Sequence, residues 1–395
     1  MKFASQLVNF NACPDDPFKP VATPIYQTAT FEQEHADQFG RYDYSRSGNP
    51  TRTVLQDQLA RLENADHAFA FASGLAAISS VARLLSAGGE ILACDDLYGG
   101  TYRLFSKILS RTGVKVRYAD ACDLPRFAAA ITPQTRMLYI ETPSNPLLRI
   151  CDIRALANLA HDHSALLCVD NSAMSPYLQN PLDLGADIVV HSATKYLCGH
   201  SDVTAGVVAV RNPELAEQIY FLQNGEGSAL GPFDSYLLLR SLKTLKLRLD
   251  CQQSSAQRIA EHLNTHPDVQ RVYYPGLFEH AGHDLHAQQA RGAGAVISFT
   301  TGSFNLSRRI AEAARIFRVS VSFGSVNSSI SLPGCMSHAS IPAEVRRSRA
   351  FGADLVRLSI GVEDTDDLID DLTQAFERAG VEEAVDASAA AQGRD

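Results

Sequence analysis

The sequence predicts an α/β fold: a mostly parallel, doubly wound sheet domain followed by a smaller C-terminal α+β domain. Three observations carry that expectation. From about residue 66, short apolar runs alternate with amphipathic stretches of helical period. Beyond about residue 245 the alternation gives way to a mixture of strands and helices. The 395 residues, 45% hydrophobic and 20% charged, are enough for two cores and too apolar for disorder. Strands alternating with helices build a parallel sheet covered on both faces.

Taken in order, residues 1–48 carry prolines and little periodicity, and read as an arm that reaches a neighbouring subunit rather than a core of its own. Residues 49–245 hold the alternation: HAFAFAS then GLAAISSVARLLS, EILACDD then YRLFSKILSRTG, KVRYAD then LPRFAAAI, RMLYIET then DIRALANLAHD, and ALLCVDN. ADIVVHS and TAGVVAV follow with almost no helix between them, which predicts an antiparallel edge. One long helical stretch, PFDSYLLLRSLKTLKLRLDCQQSSAQRIAEHL, contains the domain boundary near residue 245. Residues 246–395 combine strands AVISFTT, VSVSFG and VRLSIG with helices LSRRIAEAARIF and TDDLIDDLTQAFERA, and the tail DASAAAQGRD reads as frayed.

A net charge of -9 argues against nucleic acid, whose phosphates reward a basic face, and points to a small-molecule partner. The eight cysteines have neither C-x-x-C pairs nor a repeated spacing, so no zinc site or disulfide frame is expected. Several sit in apolar runs, as reduced thiols of a cytoplasmic protein do. The N-terminal MKFASQLVNFNACPDD lacks the apolar stretch of a signal peptide and the Arg/Ser-rich pattern of a transit peptide. No run reaches the ~20 apolar residues that span a bilayer. The expectation is a mature soluble chain without a membrane partner.

The chemistry gathers at strand ends. ALLCVD ends in Asp170, and ADIVVHS runs into SATKYLCGHSD with Lys195. An acid ending a strand is commonly a turn former and most lysines are solvated, so the pairing carries the argument. Neighbouring parallel strands would bring an acid and a lysine to one sheet edge, where open α/β sheets place ligands. Pyridoxal phosphate requires that pair: the carboxylate meets the protonated pyridine nitrogen, and the lysine amine bonds the aldehyde carbon. Ser192 and Thr194 flank the lysine with hydroxyls for a phosphate. ASGLAAI offers a second anion anchor, a helix N-terminus after Ser73-Gly74.

YDYSRSGNPTR concentrates Tyr44, Arg46 and Arg52 before a helix start. Tyr98 stands at a strand-to-helix turn, where an aromatic ring can stack on a flat cofactor. In ETPSNP, Ser144 and Asn145 read either as turn formers or as contacts to a ring oxygen and a substrate. Arg357 interrupts an apolar strand, a costly place for a charge unless it is paired or grips a carboxylate.

The motifs YSRSGNPT, ASGLAAI, YGGTYRLF, ETPSNP, the run from VDNSAMSPYLQ through SATKYLCGHSD, PFDSYLLLRSLKTL and MSHASIP with VRLSIGVED resemble, in order, the cystathionine-processing branch of the fold-type-I pyridoxal phosphate enzymes. The resemblance spans residues 22–378. In FLQNGEGS, GAGAVISF, SVSFGSV and SHASIPAEVR it is most similar to plant-type cystathionine β-lyases. It implies a fold-type-I transferase fold and a catalytic Lys195, with Asp170 at the ring nitrogen and Tyr98 stacked on the cofactor and taking part in catalysis. Gly74, Leu75, Ser192 and Thr194 would hold the phosphate, joined by Tyr44 and Arg46 from a neighbouring subunit of a homotetramer. Asn145, Ser322 and Arg357 would take the carboxylate of an amino-acid thioether. The family usually has methionine where this chain has Leu75. Several γ-acting relatives have glutamate immediately before the serine that matches Ser322; here Val321 stands there, as in one γ-lyase subgroup.

The implied reaction is α,β-elimination of L-cystathionine in methionine biosynthesis, with γ-lyase, γ-synthase or methionine γ-lyase chemistry as the alternative on the same scaffold. A nicotinamide dehydrogenase is disfavoured because NGEGSALG follows a helix, not a strand. A non-catalytic binding protein would be expected to lose Lys195 or Arg357.

Overall fold

The computed structural model describes residues 1–10, 16–336 and 352–392; SHASIPAEVR and Cys13 lie outside them. These residues divide into two compact units. The first holds Met1–Asp95, Leu104–Thr142 and Cys151–Lys246; the second holds Asp96–Arg103, Pro143–Ile150 and the chain from Leu247 onward.

The first unit is built on a seven-stranded sheet of β1 (His67–Phe71), β2 (Glu90–Cys94), β3 (Lys115–Ala119), β4 (Thr135–Glu141), β5 (Leu166–Asp170), β6 (Ile188–Ser192) and β7 (Gly206–Val210), in the order β1-β7-β6-β5-β4-β2-β3. All seven apolar runs form strands. Every residue of β2 and β7 is buried, as in a sheet covered on both faces. β7 is antiparallel to β6, as expected, but it is not the edge: β1 pairs with its other side and takes that place.

Several helices begin on side-chain caps, each worth about 1 kcal/mol. Asn49 accepts from the N–H groups of Thr51 and Arg52 at the start of the helix Pro50–Leu62, and Asp152 from Ala155 at the start of Ile153–Asp162. YRLFSKILSRTG departs from the single helix expected. It comprises the end of a short α-helix, Gly99–Arg103, then a π-helical turn, Leu104–Ile108, and a 3-10 turn, Leu109–Thr112. The spacing of its apolar residues explains this. Leu104, Phe105 and Leu109 are buried while Ile108 is 51% exposed, so the inward face recurs after five residues, not four. The long helical stretch is likewise two helices, Pro232–Leu242 and Leu245–Asn264. Between them both the N–H and the hydroxyl of Thr244 bond the carbonyl of Ser241, a local alternative to the helical ladder.

The second unit has a five-stranded sheet of β8 (Arg271–Tyr273), β9 (Val296–Thr300), β10 (Arg318–Val319), β11 (Ser329–Ser331) and β12 (Leu355–Ser359), in the order β10-β11-β12-β9-β8. The helices Phe304–Ala313 and Thr365–Gln392 pack together, and the latter runs on through most of the tail read as frayed. VSVSFG is a strand only at its first residue. Ser322 and Gly324 have φ of 80° and 84°, which no extended strand accommodates. Among the described residues no helix is long and apolar enough to cross a membrane.

Candidate active site

In the first unit the parallel register sets the sheet edge. β5 pairs with β6 so that Asp170 lies opposite Val190, and Lys195 follows three residues after β6 ends. Asp170 is 6% exposed and its carboxylate is held on both oxygens. Oδ1 accepts from the hydroxyl of Ser172 at 2.6 Å and from its N–H at 3.0 Å; Oδ2 accepts from Tyr139 at 3.1 Å. Burial first, and the Asp170 carboxylate second, push the Tyr139 hydroxyl well above its ordinary range, which keeps it a donor. Ser172 also accepts from the backbone N–H of Ser192 at 2.6 Å, joining the end of β6 to that of β5.

Gly74 opens the helix Gly74–Ala82 against the same strand. A Cβ there would stand 2.9 Å from both Cα and Cβ of Ser192, so only glycine permits this approach. Ser73 caps the helix by accepting from Ala76, while the N–H groups of Gly74 and Leu75 lie in the first turn, where no intrahelical acceptor exists. Thr194 bonds the backbone of Ala205 through its hydroxyl, accepting at 3.0 Å and donating at 3.3 Å. The turn after Lys195 is closed by its own hydrogen bonds. Gly199 donates to the Lys195 carbonyl at 2.8 Å, Cys198 Sγ to Asp202 at 3.2 Å, and the His200 imidazole meets the Cys198 carbonyl at 2.7 Å.

Tyr44 and Arg46 meet another part of the first unit. Arg46 lies over the Tyr44 ring and donates to the carbonyl of Asn224 at 2.6 Å and to its side chain at 3.1 Å. Arg52 is buried and donates to the carbonyls of Leu230 and Arg46.

In the second unit Arg357 lies in the middle of β12, paired with β9 and β11, and is 2% exposed. Its Nη1 donates to Asn145 Oδ1 at 2.8 Å and its Nη2 to the carbonyl of Ser322 at 2.6 Å; the guanidinium lies over the Phe323 ring, 5.6 Å from its centroid. The structure thus brings together the three residues expected at a carboxylate. Ser322 takes part through its backbone. Ser144 donates to Asp96 and accepts from the N–H of Arg149 at 3.0 Å, so it shapes its turn. Tyr98 is 38% exposed, and its ring fills the space a side chain at position 100 would need: a Cβ on Gly100 would come within 2.3 Å.

Ser172 and Tyr139 were missed in the sequence. Ser172 had a signal, an Asp followed two residues later by a hydroxyl, whereas Tyr139 has the pattern of any aromatic in a buried strand.

The donor set of the first unit fits pyridoxal phosphate. It offers an ordered, acceptor-only carboxylate, a lysine beyond the adjacent strand, and a helix N-terminus pressed against Ser192 for the phosphate. Similar proteins agree with that fit. Cystathionine beta-lyase, chloroplastic, of Arabidopsis thaliana is 55% identical over 361 residues, covering 91% of this chain and 78% of that protein. Cystathionine beta-lyase of Neurospora crassa is 50% identical over 367 residues, covering 92% and 80%. Among solved structures, cystathionine gamma-lyase from Lactobacillus plantarum complexed with L-serine matches with a TM-score of 0.93 at 43% identity, covering 95% of this chain and 99% of that one. The model of the Cys/Met metabolism PLP-dependent enzymes matches residues 4–377. The chain belongs to this family of fold-type-I enzymes, and its cofactor is pyridoxal 5'-phosphate.

Proposed function

We propose that this chain is a carbon-sulfur lyase that cleaves the Cβ–S bond of L-cystathionine, consuming water and giving homocysteine, pyruvate and ammonia. The observation that carries this reading is the 55% identity to the Arabidopsis thaliana cystathionine beta-lyase over 91% of the chain. Bound pyridoxal phosphate supplies an electron sink that makes the substrate Cα proton removable.

The roles fall on this chain's own residues. Lys195 holds the cofactor, takes the Cα proton and returns one to the departing sulfur. Asp170, fixed by Tyr139 and Ser172, keeps the ring nitrogen protonated. Tyr98 stacks on the ring. Ser192, Thr194 and the N–H groups of Gly74 and Leu75 bind the phosphate, with Tyr44 and Arg46 of a neighbouring copy. Arg357 grips the substrate carboxylate, and Asn145 and Ser322 fix the guanidinium for a bidentate hold.

The lent residues require at least a dimer for activity, and the family resemblance makes the assembly a homotetramer of two such dimers. Mixing Arg46→Ala with Lys195→Ala subunits should restore activity, because each defect can fall in a different site; no rescue in verified mixed oligomers overturns it. A reducing cytoplasm suits the thiols; the Arabidopsis thaliana relative is chloroplastic, so cell fractionation decides the location.

The deciding experiment offers L-cystathionine and identifies the keto acid. Pyruvate with homocysteine is expected. Cysteine with 2-oxobutyrate would make the enzyme a γ-lyase, the alternative reading, which the likeness to the Lactobacillus plantarum structure supports. Faster condensation of an activated homoserine ester with cysteine would make it a synthase.

A further inference from the structure

Behind the strand ends of the first unit lies a buried polar network that the roles above leave unused. Glu63 follows the helix Pro50–Leu62 and its side chain is 1% exposed, as is that of His191 on β6. The Glu63 carboxylate accepts from His191 Nε2 and from the amides of Asn171 and Asn180, each at 3.4 Å. Asn171 and Gln179 bond one another in both directions, at 2.8 and 3.0 Å, and Gln179 also donates to the carbonyl of Thr142 at 3.1 Å. The Asn171 N–H bonds the Val190 carbonyl at 2.9 Å.

Three residues of the network are the immediate neighbours of residues that end a strand. Asn171 follows Asp170, His191 precedes Ser192, and Thr142 follows the last residue of β4. Side chains alternate along a strand, so His191 and Ser192 leave opposite faces of β6: one is tied to the network while the other meets Gly74. Burying a carboxylate is costly unless donors compensate it, and an apolar residue at position 63 would avoid the cost. The donors here come from β6 and from the segment leaving β5, so Glu63 fixes those two chain ends relative to each other.

We propose that Glu63 is a positioning residue for the cofactor: through His191 and Asn171 it holds Ser192 and Asp170 in the mutual placement that pyridoxal phosphate requires. This rests on the assignment of Asp170, Ser192 and Lys195 proposed above. None of Glu63, His191 and Asn171 is among the residues assigned to the cofactor above, so the effect would be carried by the backbone at positions 170–171 and 191–192.

The test separates positioning from stability. Glu63→Gln keeps the length of the side chain but turns a donor toward the donors of Asn180 or His191. It should weaken pyridoxal phosphate binding per folded molecule about tenfold, measured by equilibrium dialysis and the absorbance of bound cofactor. Removing one partner of a buried polar pair is costly, whereas replacing both with apolar groups is close to neutral. Glu63→Met with His191→Leu removes the shortest of the three contacts from both sides, so it should recover most of the melting temperature that Glu63→Gln loses without the cofactor, yet stay about tenfold weaker in binding. His191→Gln, which keeps an N–H donor toward Glu63, should bind nearly as wild type. Wild-type affinity in Glu63→Gln, or in the double variant, would overturn the proposal and leave the network a stability element. If Asp170→Ala and Lys195→Ala both bind the cofactor as wild type does, the site assignment itself is wrong, a separate failure.

Discussion

Asp170 in the first unit and Arg357 in the second are 6% and 2% exposed, yet their partners come from different distances along the chain. The anion is held by Ser172, two residues on, and by Tyr139 on the adjoining strand. Tyr139 stands two residues before Glu141, the register partner of Asp170, so strand alternation alone turns it to the same face. The cation is held by Asn145 and by the carbonyl of Ser322, which are 212 and 35 residues away in sequence. A local turn and sheet register therefore supply the anion's shell, whereas the cation's shell needs two loops correctly placed within the second unit. Damage to the first should be graded, and damage to the second should be abrupt.

The largest effect expected lies outside either shell. Lys195→Ala should reduce turnover of cystathionine to background and abolish covalent attachment of the cofactor, while circular dichroism and melting stay close to wild type. Activity in that variant would remove the central role given to the first unit's sheet edge. Arg357→Lys comes next. It keeps the charge but replaces a planar fork with a point donor, so one of two charge-assisted bonds goes. KM should rise roughly tenfold to a hundredfold with a smaller change in kcat, the pattern of lost carboxylate binding. A fall in kcat at unchanged KM would move Arg357 away from the substrate carboxylate.

Tyr139→Phe sharpens the comparison from the other side. Removing one donor from a carboxylate that retains two others should cost up to about tenfold in kcat. Ser172→Ala should cost more, because that hydroxyl also accepts from Ser192 and so joins the two strand ends. Kinetics showing the reverse order would mean that the tyrosine, not the serine, sets the orientation of Asp170.

The same contrast explains what the sequence disclosed. Asp170 and Lys195 are legible because one ends an apolar run and the other follows closely on the next, and alternation with helices makes those runs neighbours in a parallel sheet. Arg357 is legible only as a misfit, a charge in VRLSIG whose partners nothing local identifies. Tyr139, His191 and Glu63 were invisible because a polar residue on a buried strand, or just after a helix, has the same pattern whether or not its polar atom has a task. The π-helical turn and the break at Thr244 were missed for a related reason: both keep an apolar period near that of an α-helix and differ from it by one residue or one back-bonded hydroxyl.

Arg357 cannot shed its proton, so the second unit must compensate it; His280, in the same unit, can. Burial first and His286 second lower the His280 pKa from 6.5 to about 4, with Arg271 and His283 adding to the fall and a backbone bond to Leu148 opposing it. The Gly282 N–H donates to His280 Nδ1 at 3.1 Å, a contact that needs the lone pair and is lost on protonation there. The unfolded chain binds this proton near pH 6.5 and the folded chain only near 4, so the unfolded state takes up more protons between those values. The stability tied to His280 is thus fully present above pH 6.5 and is lost progressively as pH falls toward 4. His280→Gln, which keeps an acceptor for Gly282 without a titrating group, should flatten the slope of unfolding free energy against pH in that window, measured by urea denaturation at pH 7.0, 6.0 and 5.0. Cofactor binding at pH 7 should be unaffected. An unchanged slope would place the acid sensitivity elsewhere and leave His280 as solvated as a surface histidine.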